Sequence, residues 1–102
     1  MSATSSSLPV IVAGGGIGGL AAALALVRQG FQVTVLEQAP EIGEIGAGIQ
    51  LGPNAFHAFD ALGVGDKARG RAVYTDYMVM HDALDESQVG KIETGEAFRK
   101  RF

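Results

Sequence analysis

The run Gly14-Gly15-Gly16-Ile17-Gly18-Gly19 decides the fold, because it lies between a predicted strand and a predicted helix. The apolar residues 8–13 are typical of a short buried strand, and residues 17–29 repeat apolar side chains with the period of a helix. Residues 32–36 form a second β-like run, which Glu37 follows directly. This order predicts a strand–turn–helix–strand unit with an acidic side chain at the carboxyl end of its second strand.

Three glycines of the run have separate predicted roles in binding a dinucleotide. Gly14 permits a tight turn, Gly16 allows the backbone to approach a pyrophosphate, and Gly19 lets the helix pack closely against the strands. The free N–H groups at the helix start would face the phosphates. Glu37 can accept hydrogen bonds from both ribose hydroxyls and would repel a 2′-phosphate. The residues therefore predict FAD or NAD rather than NADP, and a glycine loop that binds nothing is the alternative.

The length, charge and composition limit the classes of protein that the sequence allows. A chain of 102 residues with 47% apolar residues can form one small domain with a core, although little chain remains after residue 52 to cover both faces of a parallel sheet. The net charge of −3 gives no electrostatic basis for binding nucleic acid or an anionic membrane. The absence of cysteine excludes disulfides and thiol chemistry, and it suits a cytoplasmic protein.

Residues 8–27 carry no charge and have the length of a membrane span. The stretch nevertheless contains Pro9 and five glycines, and its β-like opening would leave backbone groups without partners in lipid. We therefore expect no membrane span. Residues 1–7 have no positive charge and precede no signal-peptide apolar region, so we expect a disordered leader.

The rest of the chain predicts a glycine-rich loop, a helix and a hairpin. Residues 41–52 carry four glycines, and residues 49–51 are a candidate short strand within them. Pro53 begins a second helix that Gly63-Val64 closes. The last predicted elements are an imperfectly alternating strand, an antiparallel partner and the start of a further helix, at residues 72–82, 89–94 and 95–102.

Histidines and paired acids give no convincing catalytic or metal site in this sequence. We expect His57 to be a packed or surface residue of the second helix and His81 to make a turn hydrogen bond. No spacing matches a metal motif such as His-Glu-x-x-His. Glu41 and Glu44 lie in the glycine-rich loop, where paired acid–base roles are not expected. Four further side chains are expected by default to pack in the core of a sheet, and the alternative is that they line an aromatic-substrate pocket. They are Tyr74, Tyr77, Met78 and Met80.

The block from Glu37 to Ala55, followed by Ala61-Leu62-Gly63-Val64, resembles the single-component FAD-dependent aromatic hydroxylases of the salicylate and 3-hydroxybenzoate type. The resemblance extends over residues 8–102. It departs from the family at Gln38, which is often arginine, and at Gly46, where some relatives carry an arginine directed at the cofactor. The cofactor-binding residues that the resemblance implies are Gly14, Gly16, Ile17, Gly18, Gly19, Glu37, Gln38, Ala47, Gly48 and Gln50.

The resemblance implies a flavoprotein monooxygenase in which NAD(P)H reduces FAD and a flavin C4a-hydroperoxide hydroxylates a phenolic ring. It implies no catalytic residue in this chain, since the cofactor carries the chemistry. Family members are several hundred residues long and have two further flavin-contact motifs that this chain lacks. We therefore expect an N-terminal portion, inactive alone, with residues 8–71 as part of an FAD-binding domain and residues 72–102 as the beginning of a substrate domain.

The expected fold class is α/β, with a Rossmann-like βαβ unit and the start of an antiparallel sheet, incomplete relative to the family fold. The expected partners are a small aromatic substrate and O₂, without nucleic acid, and the oligomeric state stays open. Two other functions also stay open. An NAD-linked dehydrogenase would use the same loop, although a second βα unit should then follow Glu37. A non-enzymatic nucleotide-binding fragment would fit the short length.

Overall fold

The computed structural model describes residues 8–46 and 48–102, which form two compact units. One unit ends at Gly65, and the other is Asp66–Phe102. The described elements, in chain order, are β1 (Val10–Ala13), α1 (Ile17–Arg28), β2 (Val33–Leu36), α2 (Pro53–Ala61), α3 (Gly65–Arg69), β3 (Tyr77–His81), β4 (Gln88–Glu93) and α4 (Glu96–Arg101).

The first unit contains the predicted βαβ arrangement. β1 and β2 pair in parallel, with Val10 opposite Val33 and Val12 opposite Val35. This register places the four valines, all half-buried, on one side of the two-stranded sheet. α1 packs against both strands, so one face of the sheet is covered as a βα crossover requires. The α/β fold class is thereby confirmed.

Glycines end the two longest helices in the same way. After α1, Gly30 has a positive φ of 92°, and the N–H of Phe31 donates to the carbonyl of Leu26 at 3.1 Å. After α2, Gly63 has a φ of 78°, and the N–H of Val64 donates to the carbonyl of Phe59 at 2.9 Å. These six-to-one bonds belong to the Schellman motif, in which glycine takes the left-handed position. The predicted helix ends are therefore confirmed to within one or two residues.

Side-chain burial is low throughout the described residues. Ala23 of α1, 8% exposed, is the one buried hydrophobic side chain among them. Ile11 of β1 is 61% exposed and Leu36 of β2 is 56% exposed, since within the first unit the element that packs on their sheet is α1, on the side of the valines.

The second unit is an antiparallel hairpin followed by a short helix. β3 pairs with β4 from Tyr77 opposite Glu93 to His81 opposite Gln88, with an irregularity after Met80. The hairpin confirms the predicted antiparallel pairing. β3 is shorter than the predicted strand, since residues 72–76 precede the ladder. The expected boundaries of the FAD-binding domain, after residue 7 and after residue 71, refer to the fold of a longer protein and stay a prediction.

One sequence prediction about local structure was wrong, and one helix was not predicted. Residues 49–51 are not a strand, because no described strand lies beside them to accept their hydrogen bonds. Helix α3 was not predicted, because five residues are too few to show a helical period. Among the described residues, no helix combines the length and the apolar content needed to cross a lipid bilayer.

Candidate dinucleotide site

The turn after β1 brings the glycine run to the carboxyl ends of both strands of the first unit. Gly14 has a φ of 110°, which favours glycine, and its N–H donates to the carbonyl of Leu36 at 2.7 Å. This hydrogen bond continues the pairing of β1 with β2 by one residue. The tight turn predicted at Gly14 is confirmed, and it lies beside the residue that precedes Glu37.

Gly19 lies in the first turn of α1, where the helix crosses the glycine loop. A Cβ atom built at this position would overlap the carbonyl oxygen of Gly14 and would lie 3.5 Å from Cγ1 of Val12. Close packing at Gly19 is therefore confirmed. The tightest contact is with the backbone of the loop, and the strand side chain is at ordinary van der Waals distance.

The Glu37 carboxylate is oriented by two backbone N–H groups. Oε2 accepts from the N–H of Gly15 at 2.5 Å, and Oε1 accepts from the N–H of Ala39 at 3.0 Å. The Ala39 contact, followed by the Gly15 contact, lowers the pKa of the Glu37 carboxyl below its usual value of 4.5. At neutral pH the side chain is therefore an exposed, ionised acceptor whose position is fixed at both oxygens.

Gly15 contributes to the site, although the motif assigns no role to its position. Gly15 is buried, and a Cβ atom built on it would lie 3.0 Å from Oε2 and 3.1 Å from Cβ of Glu37. The presence of a third glycine, where the Gly-x-Gly-x-x-Gly pattern accepts any residue, was the available sequence signal. The structural reason for glycine at this position is its contact with Glu37, which lies 22 residues further along the chain.

An open cleft of about 520 Å³ lies beside this arrangement and is lined by Gly14, Leu36, Glu37 and Gln38. A Cβ atom built at Gly16 or at Gly18 would meet nothing within 4 Å. The backbone at the start of α1 is thus open to close approach, and the helix has no side-chain N-cap to satisfy its first N–H groups. These features fit a nucleotide whose ribose lies at Glu37 and whose phosphates lie at the helix start.

The predicted flavin-side residues are not part of this cleft. Gly48, with a φ of 152°, and Gln50 are exposed in the loop before α2 and do not line it. Ala47 lies outside the described residues. The roles predicted for these three positions are therefore not tested by the geometry, and the same holds for Ile17, which is 70% exposed at the start of α1.

The remaining candidate residues show no constellation of catalytic groups within the described ranges. His81 makes the predicted turn hydrogen bond, from Nδ1 to the carbonyl of Glu86 at 2.9 Å, and His57 is exposed on α2. No group of three potential metal ligands occurs in residues 8–46 and 48–102. Four side chains were expected to pack in the core of a sheet, but all are 43–66% exposed. They are Tyr74, Tyr77, Met78 and Met80.

Comparison with known proteins gives one family match and several similar enzymes. The family described as NAD(P)-binding Rossmann-like domain matches residues 12–64. The chain is 82% identical over 102 residues to 3-hydroxybenzoate 6-hydroxylase of Polaromonas naphthalenivorans (strain CJ2), covering all of this chain and 26% of that protein. It is 64% identical over 92 residues to the enzyme of the same name from Klebsiella oxytoca, covering 90% of this chain and 23% of that protein.

A third relative extends the comparison to the other hydroxylase type. Salicylate hydroxylase of Pseudomonas putida is 47% identical over 66 residues, which is 64% of this chain and 15% of that protein. The resemblance to aromatic hydroxylases is thereby confirmed. The chain spans about a quarter of the length of the first two curated relatives. By the match over residues 12–64, the chain belongs to the NAD(P)-binding Rossmann-like domain family.

Proposed function

We propose that this chain is the adenosine-binding part of an FAD-dependent monooxygenase that hydroxylates a hydroxybenzoate ring with NADH or NADPH and O₂. The observation that carries the proposal is the Glu37 carboxylate, held at 2.5 Å by the N–H of Gly15 beside the glycine turn. The substrate class rests on the names of relatives that are 82% and 64% identical to this chain.

The described residues fit the adenosine end of FAD. An ionised carboxylate accepts hydrogen bonds and donates none, so Glu37 suits the two free hydroxyls of a ribose and disfavours a 2′-phosphate. The open backbone at Gly16 and Gly18 allows pyrophosphate oxygens to approach the N–H groups at the start of α1. Gln38, which lines the same cleft, would contact the adenosine without adding charge.

The protein and the cofactor have separate tasks in this proposal. When bound, FAD supplies the redox chemistry that links NAD(P)H, O₂ and the aromatic ring. The chain's own residues would bind the nucleotide end and fix its direction, since Glu37 would contact the ribose and the α1 N-terminus would contact the neighbouring pyrophosphate. Ala47, Gly48 and Gln50 are proposed to pass the flavin, within a fold in which residues 8–71 belong to an FAD-binding domain.

Residues 72–102 are proposed to begin a substrate domain in a cytoplasmic enzyme. Their hairpin presents an apolar face, because the register places Met78 opposite Ile92 and Met80 opposite Gly90. Met80 is 66% exposed and Ile92 is 59% exposed. Such a face suits packing against further chain.

A chimera tests the proposed function. In it, this chain replaces the 102 matching residues of the Polaromonas enzyme. We expect a yellow protein that retains FAD and oxidises NAD(P)H in response to 3-hydroxybenzoate, with hydroxylated product detected by chromatography. In the same chimera, Glu37→Gln should weaken FAD binding roughly tenfold, because it replaces a charged acceptor of two hydroxyl hydrogen bonds. A folded but colourless chimera that takes up no FAD would overturn the proposal.

NAD bound in the same cleft is the second candidate, because the matching family is described as NAD(P)-binding. Competition distinguishes the two cofactors. If NAD at equal concentration prevents FAD from binding to the apo-chimera, the cleft is an NAD site and the dehydrogenase alternative gains support. Retention of FAD against a large excess of NAD supports the monooxygenase.

A further inference from the structure

The contact between Gly15 and Glu37 has two parts, a hydrogen bond and a steric limit. The buried N–H of Gly15 donates to Oε2, and a side chain at Gly15 would come within 3.0 Å of that oxygen and 3.3 Å of Cγ. A buried backbone N–H requires a hydrogen-bond partner. The Glu37 carboxylate therefore satisfies the N–H of Gly15, and this N–H in turn orients the carboxylate.

The backbone conformation of Gly15 does not itself require glycine. The described glycines with positive φ are Gly14, Gly30, Gly46, Gly48 and Gly63. A side chain at position 15 would therefore be tolerated by the backbone, and its first obstacle would be the side chain of Glu37. Substitution at this position acts on the carboxylate and leaves the turn at Gly14 in place.

The two backbone contacts leave the carboxylate able to bind a ligand. An ionised carboxylate has about four acceptor positions, two on each oxygen. Gly15 occupies one on Oε2 and Ala39 occupies one on Oε1. Glu37 also lines the cleft, where a ligand can approach the carboxylate. Two vicinal hydroxyls of a ribose present donors to such a pair of oxygens, whereas a phosphate presents only acceptors and negative charge.

We infer that Gly15 is a positioning residue for ribose recognition, which holds the Glu37 carboxylate through its N–H and through its lack of a side chain. The inference rests on the proposed function and assigns a role to a position that the glycine motif leaves free. It predicts a dependence on side-chain size at residue 15. Alanine requires a shift of a few tenths of an ångström at Glu37. We expect the larger side chain of valine to displace the carboxylate.

The test is a size series in the chimera, Gly15→Ala and Gly15→Val, measured by flavin fluorescence quenching on the apoprotein. We expect FAD affinity to fall about twofold for alanine and about tenfold for valine. The preference for 5′-AMP over adenosine 2′,5′-bisphosphate, measured by competition with FAD, should fall in the same order. Gly90→Val on β4, where a Cβ atom meets nothing within 4 Å, is the matched control and should leave both quantities unchanged.

A double-mutant cycle separates positioning from a purely structural effect. With Glu37→Ala in place, there is no carboxylate to displace, so Gly15→Val should cause less than a twofold further loss. An undiminished tenfold loss in that background would show that residue 15 acts on the fold alone, and it would overturn the inference. Unchanged FAD affinity and unchanged nucleotide preference in Gly15→Val would overturn it equally.

A ligand-free measurement distinguishes failure of this inference from failure of the proposed function. In protein labelled with ¹³C at the glutamate carboxyls, the Glu37 signal is assigned by its loss in Glu37→Gln. Its titration midpoint should lie below 4.5 and should move toward 4.5 in Gly15→Val. A chimera without FAD affinity would overturn the proposed function, whereas an unmoved midpoint would overturn the positioning role of Gly15.

Discussion

The chain has two glycine-rich segments, and only one of them is specified by contacts within the described residues. In the segment 14–19, a side chain at Gly19 would overlap a backbone oxygen and one at Gly15 would crowd Glu37. In the segment 43–48, Cβ atoms built at Gly43, Gly46 and Gly48 meet nothing within 4 Å. The first segment is one wall of a site that this unit builds itself. In the second segment, the described contacts do not explain the need for glycine, although the positive φ of Gly46 and of Gly48 favours it.

The largest effect that this comparison predicts is that of Gly19→Ala. The added methyl group would overlap the carbonyl oxygen of Gly14, and relief requires the helix and the loop to separate. We expect a loss of stability of about 2 kcal/mol or more, since overpacking against backbone has no flexible neighbour to absorb it. The measurement is the melting temperature of the apo-chimera.

Gly18→Ala is the matched control for that substitution, because the two positions are adjacent in α1. A Cβ atom at Gly18 meets nothing within 4 Å, and alanine is the better helix former. We expect the melting temperature to stay the same or to rise slightly. Equal losses at positions 18 and 19 would mean that the contact with Gly14 does not determine the need for glycine, and the contrast between the segments would fail.

An intermediate effect is expected within the second segment. Gly46 has a φ of 111°, a conformation that side chains rarely adopt, whereas Gly43 has no positive φ. Gly46→Ala should cost about 1 kcal/mol of stability through backbone strain, and Gly43→Ala should be neutral or slightly stabilising. Thermal unfolding of both variants in the chimera measures the difference. If Gly43→Ala lowers stability more than Gly46→Ala does, packing against residues outside the described contacts determines the conformation of this loop.

Features that depend on neighbouring residues were predictable from the sequence. The turn at Gly14 and the helix ends at Gly30 and Gly63 follow from the need for a positive φ at defined places. The parallel pairing of β1 with β2 follows from the strand–helix–strand order. A residue's own conformational requirement, or its position relative to one element, was enough in each case.

Features that depend on contacts distant in sequence were not predictable. The role of Gly15 arises from a side chain 22 residues away, and the glycine pattern treats its position as free. The strand predicted at residues 49–51 failed for the same reason, because a strand needs a partner and the residues themselves do not reveal whether one is present. The ionised acid at the end of β2 was predictable, but its two backbone donors were not.

The smallest predicted effect concerns the pH dependence that Glu37 adds to the first segment. The pKa of Glu37 is lowered in the folded protein. Its two N–H contacts therefore stabilise the fold at pH values above the usual pKa of 4.5. This stabilisation is lost as the pH falls through the lowered pKa of the folded state. The melting temperature of the chimera should therefore exceed that of its Glu37→Gln variant at pH 7, and the difference should disappear in strong acid. Glu44→Gln, which removes the same charge from the second segment, serves as the control for net charge. A difference that is constant from pH 7 down to strong acid would mean that ionisation of Glu37 does not contribute to holding the glycine loop.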